Sequence, residues 1–95
     1  MNEEGWDLFL KLCQECKNTK QMDELFALFL TLDEKNQLST RALLIKALLI
    51  NQKSQRQIAE DLSLSIAKIT RGSNALKTVS DQLKIYLKKI FISIN

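Results

Sequence analysis

The order of apolar and polar residues predicts helices along the whole chain. Three segments carry apolar side chains at the three- to four-residue spacing of one helical face. These stripes are Trp6, Phe9, Cys13 and Cys16, then Met22, Leu25, Phe26 and Phe29, and finally Leu83, Tyr86, Leu87, Ile90 and Ile94. No strand-like alternation, internal repeat or low-complexity stretch occurs in the sequence.

Polar residues mark where further helices begin. TLDE at 31–34 and SQRQ at 54–57 have the form of a capping box, Ser/Thr-x-x-Glu/Gln, which satisfies the first backbone N–H groups of a helix. The first box opens a third helix that runs to about Ile50, and the second opens a fourth. A fifth helix should start near Ser65 and a sixth near Ser80. The predicted fold class is all-α, with six helices in a single domain over residues 1–95.

The third helix is apolar on nearly every side. Between Arg41 and Ile50, only Arg41 and Lys46 are polar. A helix of this kind must be buried on most sides, and one small domain can hardly surround it. A second copy of the chain would supply the missing cover; a central helix wrapped by its own neighbours is the alternative.

Charge is distributed unevenly between the two parts of the chain. Residues 1–34 carry three lysines and eight acidic residues, a net charge of −5, whereas residues 35–95 carry eleven basic and three acidic residues, a net charge of +8. A basic half suggests a polyanionic partner, nucleic acid before a membrane surface. The chain has no histidine, the usual general base and commonest metal ligand, and no carboxylates clustered with a nucleophile, so an enzyme is not expected.

Two further features bear on location and redox chemistry. CQEC at 13–16 has the form of a redox or metal half-site, but the sequence offers no second ligand pair, and two reduced, packed cysteines are the expectation. The start MNEEGW is acidic, unlike a signal peptide, and the run ALLIKALLI is too short to span a bilayer. We therefore expect a cytoplasmic protein with no metal, no cofactor and no membrane partner.

Residues 55–72 match the helix-turn-helix pattern. Such units need apolar residues at the fourth, eighth, tenth and fifteenth positions and a small residue at the fifth, where the helices cross closely. Counted from Gln55, these positions hold Ile58, Leu62, Leu64, Ile69 and, as the small residue, Ala59. The ninth position, usually glycine, is Ser63. The second helix of such a unit enters the major groove of DNA, although short helical hairpins without a DNA function can match the same pattern.

Gly72 stands within that second helix, where glycine is about 1 kcal/mol less favourable than alanine. At about 100° per residue, the packed side of this helix should hold Ile66, Ile69, Ser73 and Leu76. Arg71 points away from that side, and Gly72 and Ala75, with little or no side chain, lie on the flank beside Arg71. A missing Cβ permits close approach to the backbone. The geometry leaves open whether a neighbouring helix or a ligand makes that approach.

The segment SQRQIAEDLSLSIAKITRGSNALK, 54–77, resembles the DNA-reading region of the bacterial tryptophan repressor family, whose hallmark is ITRGSN. The resemblance extends without gaps from about Leu25 to the closing helix, through LFLTLDE at 28–34 and LSTR at 38–41. It implies an intertwined, all-helical homodimer with helix-turn-helix reading heads. In that family L-tryptophan acts as corepressor: it binds in each half and sets the heads to meet two successive major grooves of the operator.

The resemblance also implies a ligand site. Arg41 and Arg71 would lie on the two faces of the indole ring, by guanidinium stacking and cation–π attraction. Arg71 and Thr31 would hold the ligand carboxylate, the backbone carbonyls of Leu28 and Leu30 would accept from its ammonium, and Gly72 would leave room for the indole edge. Ala75 stands where the family typically has a serine that helps hold the ammonium, which leaves the affinity for tryptophan open.

On the DNA side, the resemblance implies that Arg56 reads a guanine through its two acceptors. The other implied DNA contacts are with phosphates, bases or the groove floor; they are Gln55, Ile66, Ala67, Lys68, Thr70, Asn74 and Lys77. For Lys77, a solvated surface charge is an equal alternative. Lys68 replaces a threonine, LSLS at 62–65 replaces a glycine-bearing turn, and Leu32 stands where proline is common. Two other functions stay open: a DNA-binding protein of this fold that is not controlled by tryptophan, and a helical protein-interaction module.

Overall fold

A computed structural model describes residues 2–94, and that part of the chain contains helices and no strand. The helices are α1 (Glu3–Glu15), α2 (Thr19–Phe29), α3 (Leu32–Ile50), α4 (Gln55–Leu62), α5 (Ile66–Leu76) and α6 (Asp81–Ser93). The predicted all-α class is confirmed, and each helix lies where the apolar pattern and the capping residues place it. None of these helices is both long enough and apolar enough to cross a membrane.

The predicted capping box at the start of α3 is formed in both directions. The Glu34 backbone N–H donates to Thr31 Oγ1 at 3.1 Å, and the Thr31 N–H donates to Glu34 Oε1 at 2.9 Å. These hydrogen bonds, that from the Thr31 backbone first, hold the pKa of Glu34 below its usual range because they favour the ionised carboxylate.

Serines begin the next three helices. Ser54, Ser65 and Ser80 have extended backbone, and each hydroxyl accepts from the N–H three residues on. Each serine therefore satisfies one of the first N–H groups that a helix leaves without an intrahelical partner. The starts predicted for α4, α5 and α6 are confirmed.

The chain divides into two compact units, with the boundary between Asn36 and Gln37, inside α3. In unit 1 the Phe9 ring lies 5.3–5.9 Å, centroid to centroid, from the rings of Trp6, Phe26 and Phe29. Even so, none of residues 2–36 is buried. The thiols of Cys13 and Cys16 are free and half-buried.

Unit 2 contains the buried core of the described chain. Leu44 of α3, Ile58 and Ala59 of α4, and Ile69 of α5 form one buried cluster. Half-buried apolar side chains pack against it: Ala47, Leu48, Leu62 and Leu64. The core therefore joins the middle of α3 to the α4–α5 pair.

Ser63, between α4 and α5, has a left-handed backbone, with φ 54° and ψ 45°. Residues other than glycine are strained in this left-handed helical conformation, at a cost of about 1–2 kcal/mol. The geometry explains why glycine is usual at this position of a helix-turn-helix. This chain tolerates the strain, and the Ser63 N–H still closes α4 by donating to Ala59 and Glu60.

Replacing Ser63 with glycine should raise the free energy of unfolding by up to about 1 kcal/mol, because relief of the left-handed strain outweighs the greater flexibility of glycine in the unfolded chain. Urea titration of the two proteins measures the difference. The matched control is Ser65→Gly, where φ is −70° and the serine caps α5; that change should lower stability slightly. Equal destabilisation by both changes would contradict the strain at Ser63.

Candidate functional site

The pair α4 and α5 has the packing that the helix-turn-helix pattern predicts. Ile58, Ala59 and Ile69 are buried, with Ile69 fully so. Leu62 and Leu64 pack against them. All five pattern positions therefore belong to the buried cluster or pack against it, and α3 joins the same cluster through Leu44.

The side chains implied to contact DNA all lie on the outside of this pair. Every one of the eight is exposed: Gln55, Arg56, Ile66, Ala67, Lys68, Thr70, Asn74 and Lys77. Ile66 is 53% exposed, so its predicted place on the packed face with Ile69 is wrong. It is the first residue of α5, whereas the buried Ile69 lies almost one turn further into the helix. Helix α5 carries Lys68 and Arg71 and no acidic residue. The outer face of α5 is therefore positively charged.

Two hydrogen bonds tie polar groups of that face together. The Thr70 hydroxyl donates to the Ile66 carbonyl at 3.0 Å, within its own helix. The Lys77 ammonium donates to Asn74 Oδ1 at 3.4 Å, so these two side chains are neighbours at the end of α5. An ammonium has three donors, which leaves Lys77 able to bind a second acceptor.

The residues implied to bind a ligand are distributed over both units. Leu28, Leu30 and Thr31 belong to unit 1, whereas Arg41, Arg71, Gly72 and Ala75 belong to unit 2. Arg41 and Arg71 are exposed, each on its own helix. The assembled ligand site stays a prediction.

Unit 1 offers a suitable place for an ammonium group at the end of α2. Leu28 lies in the last turn and Leu30 is the C-cap. The last carbonyls of a helix have no intrahelical partner and carry the negative end of its dipole. The implied role of the Leu28 and Leu30 carbonyls fits this position. Thr31 Oγ1 accepts from the Glu34 N–H, which leaves the hydroxyl hydrogen able to donate to a carboxylate.

Gly72 packs against α3. A Cβ built on Gly72 would lie 2.8 Å from Leu44 Cδ2 and 3.3 Å from Leu48 Cδ1. Of the two possibilities that the sequence leaves open, close approach of a neighbouring helix is therefore present on this side of the glycine. The indole edge that the resemblance places at Gly72 remains a prediction.

Sequence reasoning missed an ion pair beside the helix pair. Lys53 Nζ lies 2.6 Å from Asp61 Oδ2, and Gln57 Nε2 donates to Asp61 Oδ1 at 3.0 Å. The hydrogen bond from Lys53, and then that from Gln57, lowers the pKa of Asp61. The spacing of Gln57 and Asp61, four residues apart on a helix, is a usable signal. Lys53 lies in a linker eight residues before Asp61, a separation that no helical period predicts.

A model of the family described as Trp repressor protein matches residues 4–90 of the chain. The chain belongs to the Trp repressor family. The members of this family are regulators of transcription rather than enzymes. No group of three or more histidine, cysteine or acidic residues able to hold a metal ion lies among residues 2–94.

Individual members of the Trp repressor family match nearly the whole chain. A Trp operon repressor homolog of Chlamydia caviae is 46% identical over 89 residues, which are 94% of this chain and 88% of the relative. That of Chlamydia trachomatis serovar D is 46% identical over 87 residues, 92% of this chain and 93% of the relative. That of Vibrio vulnificus is 39% identical over 85 residues, 90% of this chain and 83% of the relative.

Replacing Gly72 with alanine should destabilise the protein in the absence of any ligand, by about 1–3 kcal/mol, because the new methyl group overlaps the buried Leu44 side chain. Denaturation without tryptophan measures the effect. Gly5→Ala is the matched control: it is also a helical glycine, but a Cβ there lies 3.7 Å from its nearest neighbour, so the change should stabilise by up to about 1 kcal/mol. If Gly72→Ala were as stable as Gly5→Ala, the contact with α3 would be refuted.

Proposed function

We propose that this protein is a cytoplasmic repressor that binds operator DNA as a homodimer, with L-tryptophan as the corepressor that activates it. The observation that carries the proposal is the α4–α5 pair. Its five pattern residues are buried or half-buried in one cluster, and all eight side chains implied to contact DNA are exposed. The Trp operon repressor homologs among the relatives support the regulated pathway.

DNA reading would rest on α5 in the major groove and on Arg56 beside it. Arg56 is the second residue of α4 and is exposed. A guanidinium there can donate two parallel hydrogen bonds to a guanine. Lys68, Asn74 and Lys77 would contact phosphates or bases along the charged face of α5, which positions the helix on the duplex.

Tryptophan binding would depend on the two arginines. Arg41 and Arg71 are exposed and planar, so each can stack on one face of an indole ring, and Arg71 can pair with the ligand carboxylate. The carbonyls at the end of α2 would receive the ammonium. The ligand would then favour the arrangement of the heads that fits DNA, and this preference is what couples tryptophan to repression.

Exposed apolar side chains support the homodimer. Neither α1, α2 nor α6 buries a single residue, although all three have apolar stripes. The large apolar side chains left about half or more exposed include Trp6, Leu8, Leu28, Phe29, Leu32, Leu38, Leu43, Ile85, Tyr86 and Ile92. Monomeric proteins rarely expose so much apolar surface, and a second copy is the partner that the resemblance implies. Leu38 and Leu43 belong to α3, the helix whose sequence already indicates a need for cover.

Ala75, which stands where the family typically has a serine, favours a second candidate function: a DNA-binding protein of this fold that tryptophan does not control. Ala75 is exposed and has no hydroxyl, and its carbonyl accepts from both the N–H and the Oγ1 of Thr78. The ammonium of tryptophan would therefore have one partner fewer than in typical members of the family. Binding to operator DNA that is unaffected by tryptophan would identify this second candidate.

Replacing Arg56 with alanine should weaken binding to an operator duplex by about 1–3 kcal/mol and leave binding to random DNA nearly unchanged. The duplex is chosen by selection from a random pool with this protein and L-tryptophan. Fluorescence anisotropy at one salt concentration measures both affinities. Lys89→Ala, which removes an exposed cation of α6, is the control and should change neither. Equal losses on both duplexes would make Arg56 a phosphate contact.

The dimer predicts that stability depends on protein concentration. A tenfold rise in concentration should add about 1.4 kcal/mol to the apparent free energy of unfolding, because folding and association are coupled. Urea titrations across a hundredfold range of concentration measure this, with sedimentation to assign the mass. A stable folded monomer at micromolar concentration, with one midpoint throughout, would refute the dimer.

A further inference from the structure

A cavity of about 370 Å³ lies within unit 2, where α3, the linker that follows it, α4, α5 and α6 meet. The linker between α3 and α4 contributes Asn51 and Lys53 to the lining, and α4 contributes its first residue, Gln55. Lys77 comes from the end of α5, and Lys84 comes from α6. Asn51 has a left-handed backbone, with φ 57°, which turns the chain out of α3 and brings Lys53 to this place. The lining includes three lysines and no acidic residue.

The charge at this cavity is suited to an anion. The Lys84 side chain is only 30% exposed, and its ammonium lies 3.9 Å from the carboxylate of Asp81, which is 94% exposed. Lys53 is bonded to Asp61, outside the lining, through one of the three donors of its ammonium. Lys77 likewise uses one donor, on Asn74. Each ammonium therefore has donors left for a shared acceptor.

The first turn of α4 adds backbone donors at the same edge. Ser54 satisfies the N–H groups of Gln57 and Ile58 through its hydroxyl and its carbonyl. The N–H groups of Gln55 and Arg56 come first in the helix, where no intrahelical acceptor exists. Backbone donors together with converging lysines are a combination that binds phosphate groups.

We infer that this cavity binds a phosphate group, and that Lys53 and Lys84 are phosphate contacts in addition to the residues implied by the family. Gln55 and Lys77 line the cavity and also belong to the surface proposed to meet DNA, so the two are continuous. The phosphate is therefore that of the DNA backbone beside the bases read by α5. This assignment rests on the proposed function; a free phosphate compound is the other source of the same chemistry.

The salt dependence of DNA binding tests the assignment. The double variant Lys53→Gln, Lys84→Gln should flatten the plot of log K against log salt by about 0.9 for each phosphate that these lysines neutralise, on the selected duplex and on random DNA alike. Preference for the selected duplex and dependence on tryptophan should persist, because no base-reading residue changes. The control is Lys88→Gln, Lys89→Gln, which removes the same charge from exposed positions of α6 outside the cavity.

A second measurement distinguishes the two sources of phosphate. Inorganic phosphate is titrated into the full chain without DNA while the amide resonances of Gln55 and Lys84 are followed by NMR. Suppose that phosphate shifts these resonances, that the Lys53→Gln, Lys84→Gln variant abolishes the shifts, and that the same variant leaves the salt slope of DNA binding unchanged. The cavity would then bind a free phosphate compound, and the DNA assignment would be overturned. No shift and no change of slope, or the same change of slope in the control, would refute the site altogether. Failure of the wild type to prefer any duplex would instead contradict the proposed function, and the phosphate titration would still decide the site.

Discussion

The contact between α5 and α3 is the one on which the arrangement of unit 2 depends. Gly72 lets the backbone of α5 come close to Leu44 and Leu48. Leu44 is at the same time part of the core that holds α4 and α5 together through Ile58 and Ile69. The helix pair therefore packs against α3 through a few side chains around Gly72. Any larger residue at that point would push α5, and its charged face, away from its support.

A small contact of this kind suits the proposed control by tryptophan, in which the ligand would change the orientation of the heads. The core is small: apart from Leu49, the buried residues of the described chain all belong to the cluster beneath the helix pair. Arg71 adjoins Gly72 in sequence and is exposed, so a ligand held by Arg71 would act next to the contact between α5 and α3. A ligand that binds one orientation of α5 more tightly than another would favour that orientation, because a small core opposes the movement of α5 only weakly.

Local sequence patterns predicted most of the fold. Capping serines and the Thr31–Glu34 box mark four helix starts. These starts can be predicted from the sequence because each capping hydrogen bond joins residues only three positions apart. The helix-turn-helix spacing likewise predicted the burial of Ile58 and Ile69. Long-range contacts were not predictable. The partners of Gly72 lie more than twenty residues away in α3, and Lys53 meets Asp61 across a linker. The resemblance implies the eight DNA contacts, and the structure adds that all eight side chains are exposed. Periodicity and spacing do not encode contacts that depend on how helices approach one another.

Control of DNA binding by tryptophan is the property that a single titration tests. Affinity for the selected operator duplex is measured at fixed salt with no ligand and with saturating L-tryptophan. Reciprocal coupling between two sites is typically about 5- to 150-fold, and we expect a gain of at least about tenfold with tryptophan. The same affinity with and without tryptophan, on DNA that the protein still distinguishes from random sequence, would contradict this control.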